Sequence, residues 1–362
     1  MPHTSHGDRR GFKAVDLVVT LAVALIMVAV AIPAVESSND SSQQTACKAQ
    51  MQYVAKVILA YEMQKRQYPG YRNALRLANG KIFADPQTGD KRAVSWVVMI
   101  LPYIEHQQEL HASWREPGNA KIARLYNNEE AAAPDERIRI LTCPGDANLT
   151  TRKCGLSYVV NSGMQDGQGV PAGSTNQGMP RDWPENGVFF DVFQGNPLAG
   201  ILGPDQKPLS MPIIRMSNDY IARADGLGQT CMLSENVDAG RYTDDDEAAV
   251  GMIWNGSGKV DVALDPPSLD PPDPEMRIPR GEAKATRTPK TTIAHARPSS
   301  KHPGGVNMAF CDGRVRFVRD NMDYYVYSSL MSSNGYRVRM PGSNRVLPGF
   351  NRPLLEDWYI RQ

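Results

Sequence analysis

The sequence predicts an α+β fold, in which a long N-terminal helix packs on a mainly antiparallel, β-rich head with long loops. Three observations predict it. An apolar run at residues 17–32 leads into a helical stripe, a hairpin signal occupies residues 306–318, and Gly (30) and Pro (27) are both frequent. We assign residues 12–66 to the helix and residues 67–362 to the head.

The apolar run predicts a membrane segment. Residues 17–32 carry no charged side chain, and extension to residues 12–35 gives roughly the 20 residues that cross a bilayer as a helix. Arg9 and Arg10 precede the run, and this charge bias favours a cytoplasmic N-terminus and an exported head. We therefore expect a single-pass membrane protein.

The N-terminal segment has three interpretations. It is a secretory signal cut near residues 31–37, an uncut signal anchor, or a leader cut between Gly11 and Phe12. The sequence RRGFKAVDL around that last bond resembles the cleavage and methylation signal of type IV prepilins and of the pseudopilins of type II secretion. Gly11 matches the residue before the cut, and Phe12 matches the methylated new N-terminus. Asp16 matches the acidic residue at mature position five, where Glu is usual.

Of two further positions, one agrees with the prepilin pattern and one departs from it. Pro33 falls at mature position 22, where the family commonly has proline, whereas Lys13 is unusual. The resemblance implies that a prepilin peptidase removes residues 1–11 and that the chain associates with itself or with other pilin-like subunits. A carboxylate inside a bilayer costs several kcal/mol unless it is paired. Asp16 would then pair with a neighbouring subunit's N-terminal amine; the alternative is a solvated Asp16 near the headgroups.

A second apolar stripe follows the membrane segment. Its members repeat at spacings of four and three and so share one helical face: Cys47, Met51, Val54, Ile58 and Tyr61. We expect this face to pack against the head. Residues 68–70 (YPG) end the segment.

The hairpin signal is VNMAFC-DG-RVRFV. Asp312 and Gly313 predict a two-residue type I′ turn. The register that follows places four apolar side chains on one face: Met308, Phe310, Val315 and Phe317. His302 lies ahead of the turn in a His-x9-Asp-Gly pattern.

That pattern carries a second resemblance. HPGGVNMAFCDGRVRF, CPGD at Cys143, SYVVNSG at Ser157 and DGLGQT…SEN at Asp225 resemble a head family of unknown function that follows a prepilin-type N-terminus in planctomycete-type bacteria. The resemblance implies location at the bacterial cytoplasmic (inner) membrane, with a periplasmic or extracellular head. Its main departure is the Pro-rich segment 264–300, which we interpret as an extended or disordered insertion.

Candidate site residues are few. Ten residues separate Cys143 from Cys154, so a disulfide between them closes a small loop; two buried thiols are the alternative. The acidic run, which offers oxygen ligands for calcium but lacks EF-hand spacing, is Asp244, Asp245, Asp246 and Glu247. A solvated acidic loop is the alternative. For His302 we favour a structural bond at the start of the hairpin over metal binding or catalysis.

The leading functional hypothesis is a pilin-like structural protein without enzyme activity or cofactor. No GxSxG motif is present, and 40 basic against 39 acidic residues gives no reason to expect nucleic-acid binding. One alternative is an anchored glycan- or ligand-binding module that uses Trp183 and Trp254 as exposed aromatics. Another is an anchored hydrolase that uses Glu235, Asp246 and His302.

Overall fold

The computed structural model describes residues 14–84, 89–119, 122, 138–146, 154–164, 182–193, 196–202, 208–254, 296–319, 322, 324–339 and 346. For most of residues 14–39, for residues 196–202 and 208–211, and for residues 324–325, only the backbone is described. The predicted cleavage site at Gly11 and Phe12 lies outside the described residues, and so does the side chain of Asp16. The chain divides into two compact units, Met1–Gln43 and Gln44–Gln362.

One helix, α1, runs over Ala14–Lys65. The serine-rich residues 37–42 do not interrupt it, although serine and asparagine are poor helix formers. The helix ends where Arg66 adopts a positive φ of 58°, a common backbone conformation just beyond a helix C-terminus. The predicted end at residue 66 is therefore confirmed within one residue.

The predicted stripe on α1 is confirmed. All five of its side chains are buried, with Met51 and Ile58 fully so. The phenolic hydroxyl of Tyr158 lies 3.2 Å from the carbonyl oxygen of Cys47 and bonds the helix to the head. This part of α1 thus belongs to the core of the larger unit.

Among the residues with described side chains, we find no helix that combines the length and apolarity needed to cross a bilayer. The predicted membrane segment at residues 17–32 stays a prediction.

Nine strands are described in the head. They are β1 (Arg72–Ala74), β2 (Ala93–Ser95), β3 (Tyr158–Met164), β4 (Asn196–Leu202), β5 (Pro208–Met211), β6 (Cys231–Glu235), β7 (Gly251–Trp254), β8 (Gly305–Phe310) and β9 (Val315–Arg319). The main sheet has the order β7-β3-β6-β8-β9, and only its β3–β7 pair is parallel. Two-stranded antiparallel pairs join β1 to β2 and β4 to β5. The prediction of a mixed fold with mostly antiparallel sheet is confirmed.

Short helices connect these strands. They are α2 (Trp96–Ile100), α3 (Gln108–Arg115), α4 (Asn218–Ala222), α5 (Glu247–Val250) and α6 (Tyr324–Met331). Every residue of the central strands β3, β6 and β8 is buried, so both faces of the middle of the sheet are covered.

The β8–β9 hairpin exists, but its predicted register is wrong by one residue. Met308 pairs with Arg316 and Ala309 with Val315, so the connection is a three-residue loop over residues 311–313. A type I′ turn needs positive φ at both central residues, whereas here only Gly313 has one, at 83°. The shift puts Arg316 rather than Phe317 opposite Met308, and the Arg316 guanidinium lies over the Phe310 ring, 5.4 Å from its centroid.

Two other expectations are corrected. Trp254 is buried, not exposed, and its indole N–H donates to the carbonyl oxygen of Asn186 at 2.8 Å. Trp183 is half-buried, with the Arg339 guanidinium 4.4 Å from its ring centroid. Residues 296–300, at the end of the Pro-rich segment, belong to the folded head and are mostly buried; residues 264–295 lie outside the described residues.

Candidate functional site

Four buried side chains from four separate parts of the chain meet beside the C-terminal half of α1. They are Cys47 on α1, Cys143 in the loop after a short 3-10 helix (Arg139–Leu141), Glu235 at the end of β6, and His302 just before β8. The ligand atom that each offers lies within 4.8 Å of the others. We call this group the buried cluster.

Local structure fixes the three members of the buried cluster that lie outside α1. The Cys143 backbone N–H donates to the Ser157 hydroxyl oxygen at 2.8 Å, and the His302 N–H donates to the Ser300 hydroxyl oxygen at 3.0 Å. Glu235 is held by the register of the sheet, in which it pairs with Tyr158 on β3. The cluster therefore rests on regular structure and short, bonded loops.

The predicted Cys143–Cys154 disulfide is wrong: Cys143 bonds to Cys47 instead. The buried face of α1 brings the Cys47 Cα atom to 5.0 Å from that of Cys143, within the range that disulfides need. Cys154 is buried just before β3 and is not part of a disulfide. Closeness in sequence was the wrong guide here, because helix packing joins residues 96 positions apart.

Glu235 and His302 form a buried ion-pair geometry next to this disulfide. Their side chains are each 3% exposed, and His302 Nε2 lies 3.2 Å from Glu235 Oε1 and 3.4 Å from Cys143 Sγ. The backbone N–H of Asn307 donates to Glu235 Oε2 at 2.8 Å, and its side-chain amide donates to Oε1 at 3.2 Å. These bonds compensate the cost of burying the carboxylate.

The electrostatic influence of Glu235 extends to Tyr158. Burial raises the pKa of Tyr158 well above its ordinary value, and the nearby Glu235 carboxylate adds to the effect. The neutral Tyr158 hydroxyl keeps its proton and bonds to α1. Elsewhere, burial raises the pKa of the free Cys231 thiol to about 12, so that thiol stays protonated and inert at neutral pH.

A small cavity adjoins the buried cluster and has room for about one water molecule. Cys143 and Glu235 line it together with Asp146, Ser299 and Lys301. The cavity therefore lies directly beside two members of the cluster.

The carboxylates of the acidic run do not converge on one calcium-binding position in the structure. Asp244 Oδ2 accepts from the backbone N–H of Arg241 at 2.7 Å, and Asp245 Oδ2 accepts from Nε of Arg72 at 3.0 Å. Asp246 and Glu247 are the residue before α5 and its first residue. The carboxylates serve separate local bonds, one of them to a guanidinium, and this does not support the calcium hypothesis.

The two ends of the His-x9-Asp-Gly motif lie in different parts of the structure. The His302 side chain reaches Glu235 and Cys143, not the hairpin as predicted. Asp312 stays in the β8–β9 loop, where its carboxylate pairs with Arg314 and its N–H donates to the Leu227 carbonyl oxygen at 3.1 Å. Gly313 supplies the positive φ that this loop needs. Asp312 and Gly313 are thus explained by the turn.

Sequence reasoning missed Cys47 as a site residue and treated it only as a packing residue. The available signal was the position of Cys47 on a predicted buried helical face. In a chain expected to be exported, such a cysteine is a candidate for a disulfide. Ser157 and Asn307, which hold Cys143 and Glu235, carried no signal in the sequence. Ser157 reaches Cys143 through a contact between two loops, and Asn307 reaches Glu235 through the pairing of β8 with β6.

Comparison with known proteins gives a family. The sequence pattern that defines a family described as "Protein of unknown function (DUF1559)" matches residues 42–324. The chain belongs to that family. The DUF1559 match includes all four residues of the buried cluster and begins just before the part of α1 that packs in the core. No curated protein and no solved structure matches the chain.

The chemistry open to this DUF1559 site follows from its residue types. Joined in a disulfide, Cys47 and Cys143 cannot act as nucleophiles or metal ligands; separated, they add two thiolates to a carboxylate and an imidazole. For the predicted hydrolase residues, Glu235 and His302 meet, but Asp246 is not in the cluster.

Proposed function

We propose that this protein is a membrane-anchored, pilin- or pseudopilin-like exported structural subunit. In this proposal a prepilin peptidase cuts after Gly11, Phe12 becomes the methylated N-terminus, and residues 17–32 anchor the chain in the bacterial cytoplasmic membrane. The head is periplasmic or extracellular. The protein has no enzyme activity, and its partners are the membrane and other pilin-like subunits, including copies of itself.

One observation carries the proposal. The C-terminal half of α1 is built into the head by its buried stripe and by the covalent bond between Cys47 and Cys143. A subunit that is held in a filament or membrane by its N-terminal helix transmits load to the head through that same helix. A disulfide at this point prevents the helix from pulling out of the core. The sequence around Gly11 supplies independent support.

The alternative binding module has lost one of the residues that motivated it, because Trp254 is buried. The alternative hydrolase keeps the contact between Glu235 and His302. However, the sulfur beside that pair is bound in a disulfide and offers no nucleophile. We therefore favour the structural subunit.

The experiment is a substitution of Asp16 in the full chain. Asp16→Ala removes the carboxylate that would pair with a neighbouring subunit's N-terminal amine. We expect the variant to remain in the membrane but to lose most of its cross-linked oligomers in native membranes, because an unpaired amine in the bilayer is unfavourable.

Asp40→Ala on the same helix is the matched control, since Asp40 lies beyond the predicted membrane segment. It should leave the oligomers unchanged. Equal cross-linking of wild type and Asp16→Ala would count against assembly through Asp16 and against the pilin-like proposal.

A further inference from the structure

The buried cluster has the composition of a tetrahedral metal site whose two sulfurs are bonded to each other. Among the described residues, it is the one group of three or more His, Cys, Asp or Glu side chains whose ligand atoms come close enough to share an ion. We propose that reduction of the Cys47–Cys143 disulfide converts the cluster into a Zn²⁺ site with ligands Cys47, Cys143, Glu235 and His302. This inference does not depend on the pilin-like function.

The fixed half of the cluster already has suitable geometry. Ordinary zinc bond lengths of about 2.0–2.3 Å place a nitrogen and an oxygen ligand about 3.4 Å apart in a tetrahedron, and a nitrogen and a sulfur about 3.6 Å apart. His302 Nε2 lies 3.2 Å from Glu235 Oε1 and 3.4 Å from Cys143 Sγ. Both distances agree within about 0.2 Å.

The sulfurs must separate. Two thiolates on one zinc ion lie about 3.8 Å apart, which is impossible while they are bonded to each other. Rotation of the Cys47 side chain moves its sulfur away from that of Cys143 without displacing the Cα atoms, which lie 5.0 Å from each other. The disulfide state and the metal state therefore exclude each other.

The outer contacts of a metal site are already present. Asn307 donates two hydrogen bonds to Glu235, and the Ser157 hydroxyl accepts from the Cys143 backbone N–H. Contacts of this kind orient metal ligands and typically change metal affinity by about 10–100-fold. The cavity beside Cys143 and Glu235 gives an ion a place from which to enter.

The ligand types select the metal. Thiolates favour zinc over calcium or magnesium, which prefer oxygen ligands. Two thiolates, one carboxylate and one neutral imidazole around Zn²⁺ leave a single negative charge. Lys301 lines the same cavity and is a nearby source of positive charge.

The reaction balances with a dithiol as reductant. The dithiol gives up two electrons and two protons and becomes a disulfide, while the Cys47–Cys143 bond breaks and each sulfur gains a proton. Zn²⁺ then displaces these two protons, which pass to solvent. In the reverse exchange a disulfide accepts two electrons from the Cys47 and Cys143 thiolates and two protons from solvent to become a dithiol, the Cys47–Cys143 bond forms again, and the ion is released.

The test uses the detergent-solubilised full chain and Zn²⁺ itself. One sample stays oxidised; another is reduced with a dithiol, which anaerobic gel filtration then removes. We expect about one Zn²⁺ per chain to bind tightly to the reduced protein and none to the oxidised protein. With Co²⁺ as probe, the reduced protein should show a thiolate-to-metal charge-transfer band and the visible bands of tetrahedral cobalt.

Variants identify the ligands. His302→Ala and Glu235→Gln should each weaken Zn²⁺ binding by the reduced chain at least about tenfold. Cys47→Ser with Cys143→Ser should abolish the charge-transfer band. His111→Ala on α3 and Cys154→Ala are matched controls outside the cluster and should leave affinity unchanged.

Three results would overturn the proposal. The first is equal Zn²⁺ binding by oxidised and reduced protein. The second is unchanged affinity in both His302→Ala and Glu235→Gln, which would assign the ion to other thiols. The third is a reduced chain that loses its circular-dichroism signal and binds no Zn²⁺, because the cluster would then have no folded reduced form.

Discussion

Glu235 and His302 show how much a single residue's role depends on its partners. Glu235 was a candidate from the sequence because it ends an apolar strand, and His302 because it opens a motif. Their contact at 3.2 Å arises from the pairing of β6 with β8, and no local pattern encodes that pairing. The sequence therefore indicated two residues of the cluster, missed Cys47, and gave Cys143 the wrong partner.

The disulfide leads to a prediction at the residue scale. Cys47→Ser with Cys143→Ser should lower the free energy of unfolding by about 2–4 kcal/mol, because the cross-link restricts a loop of 96 residues in the unfolded chain. Chemical denaturation followed by circular dichroism measures the change.

A reductant provides the control for that prediction. It should destabilise the wild-type chain by a similar amount and leave the double variant unaffected, because Cys154, Cys231 and Cys311 are not in disulfides. Wild-type stability that is indifferent to reductant, or a peptide map that joins Cys143 to Cys154, would contradict the structure.

At the scale of elements, a long apolar pattern predicted which face is buried, whereas a short one did not fix the register of a strand pair. The stripe on α1 spans several turns, so its spacing defined the buried face. The β8–β9 hairpin was found, but Asp-Gly fits both a two-residue and a three-residue loop. Because side chains alternate along a strand, this difference of one residue moved Phe317 away from Met308.

Two methionines on α1 test the packing of that helix. Met51 is fully buried and Met63 is 70% exposed. Met51→Ala should cost about 2–5 kcal/mol, since it removes core contacts and leaves a cavity. Met63→Ala, the same substitution on the same helix, should stay within about 0.5 kcal/mol of wild type.

Urea denaturation of both variants, with wild type alongside, measures the difference. Similar costs for Met51→Ala and Met63→Ala would show that this part of α1 does not pack in the head.

At the scale of the whole molecule, composition and two resemblances predicted the α+β class and a head family, and the DUF1559 match agrees with that head. The described hydrophobic core begins at Cys47, beyond the predicted membrane segment, and lies in the C-terminal half of α1 and the head. The proposed location and assembly depend instead on residues 1–35, where the evidence is the sequence: a basic leader, a candidate cleavage bond and an apolar run.

The most direct test of the central claim, processing as a pilin-like subunit, is the intact mass of the protein purified from its native membrane. The account predicts a mature chain that begins at Phe12, with or without one added methyl group, and that keeps the Cys47–Cys143 disulfide. A chain that still carries Arg9 and Arg10, or one that begins beyond Pro33, would contradict it.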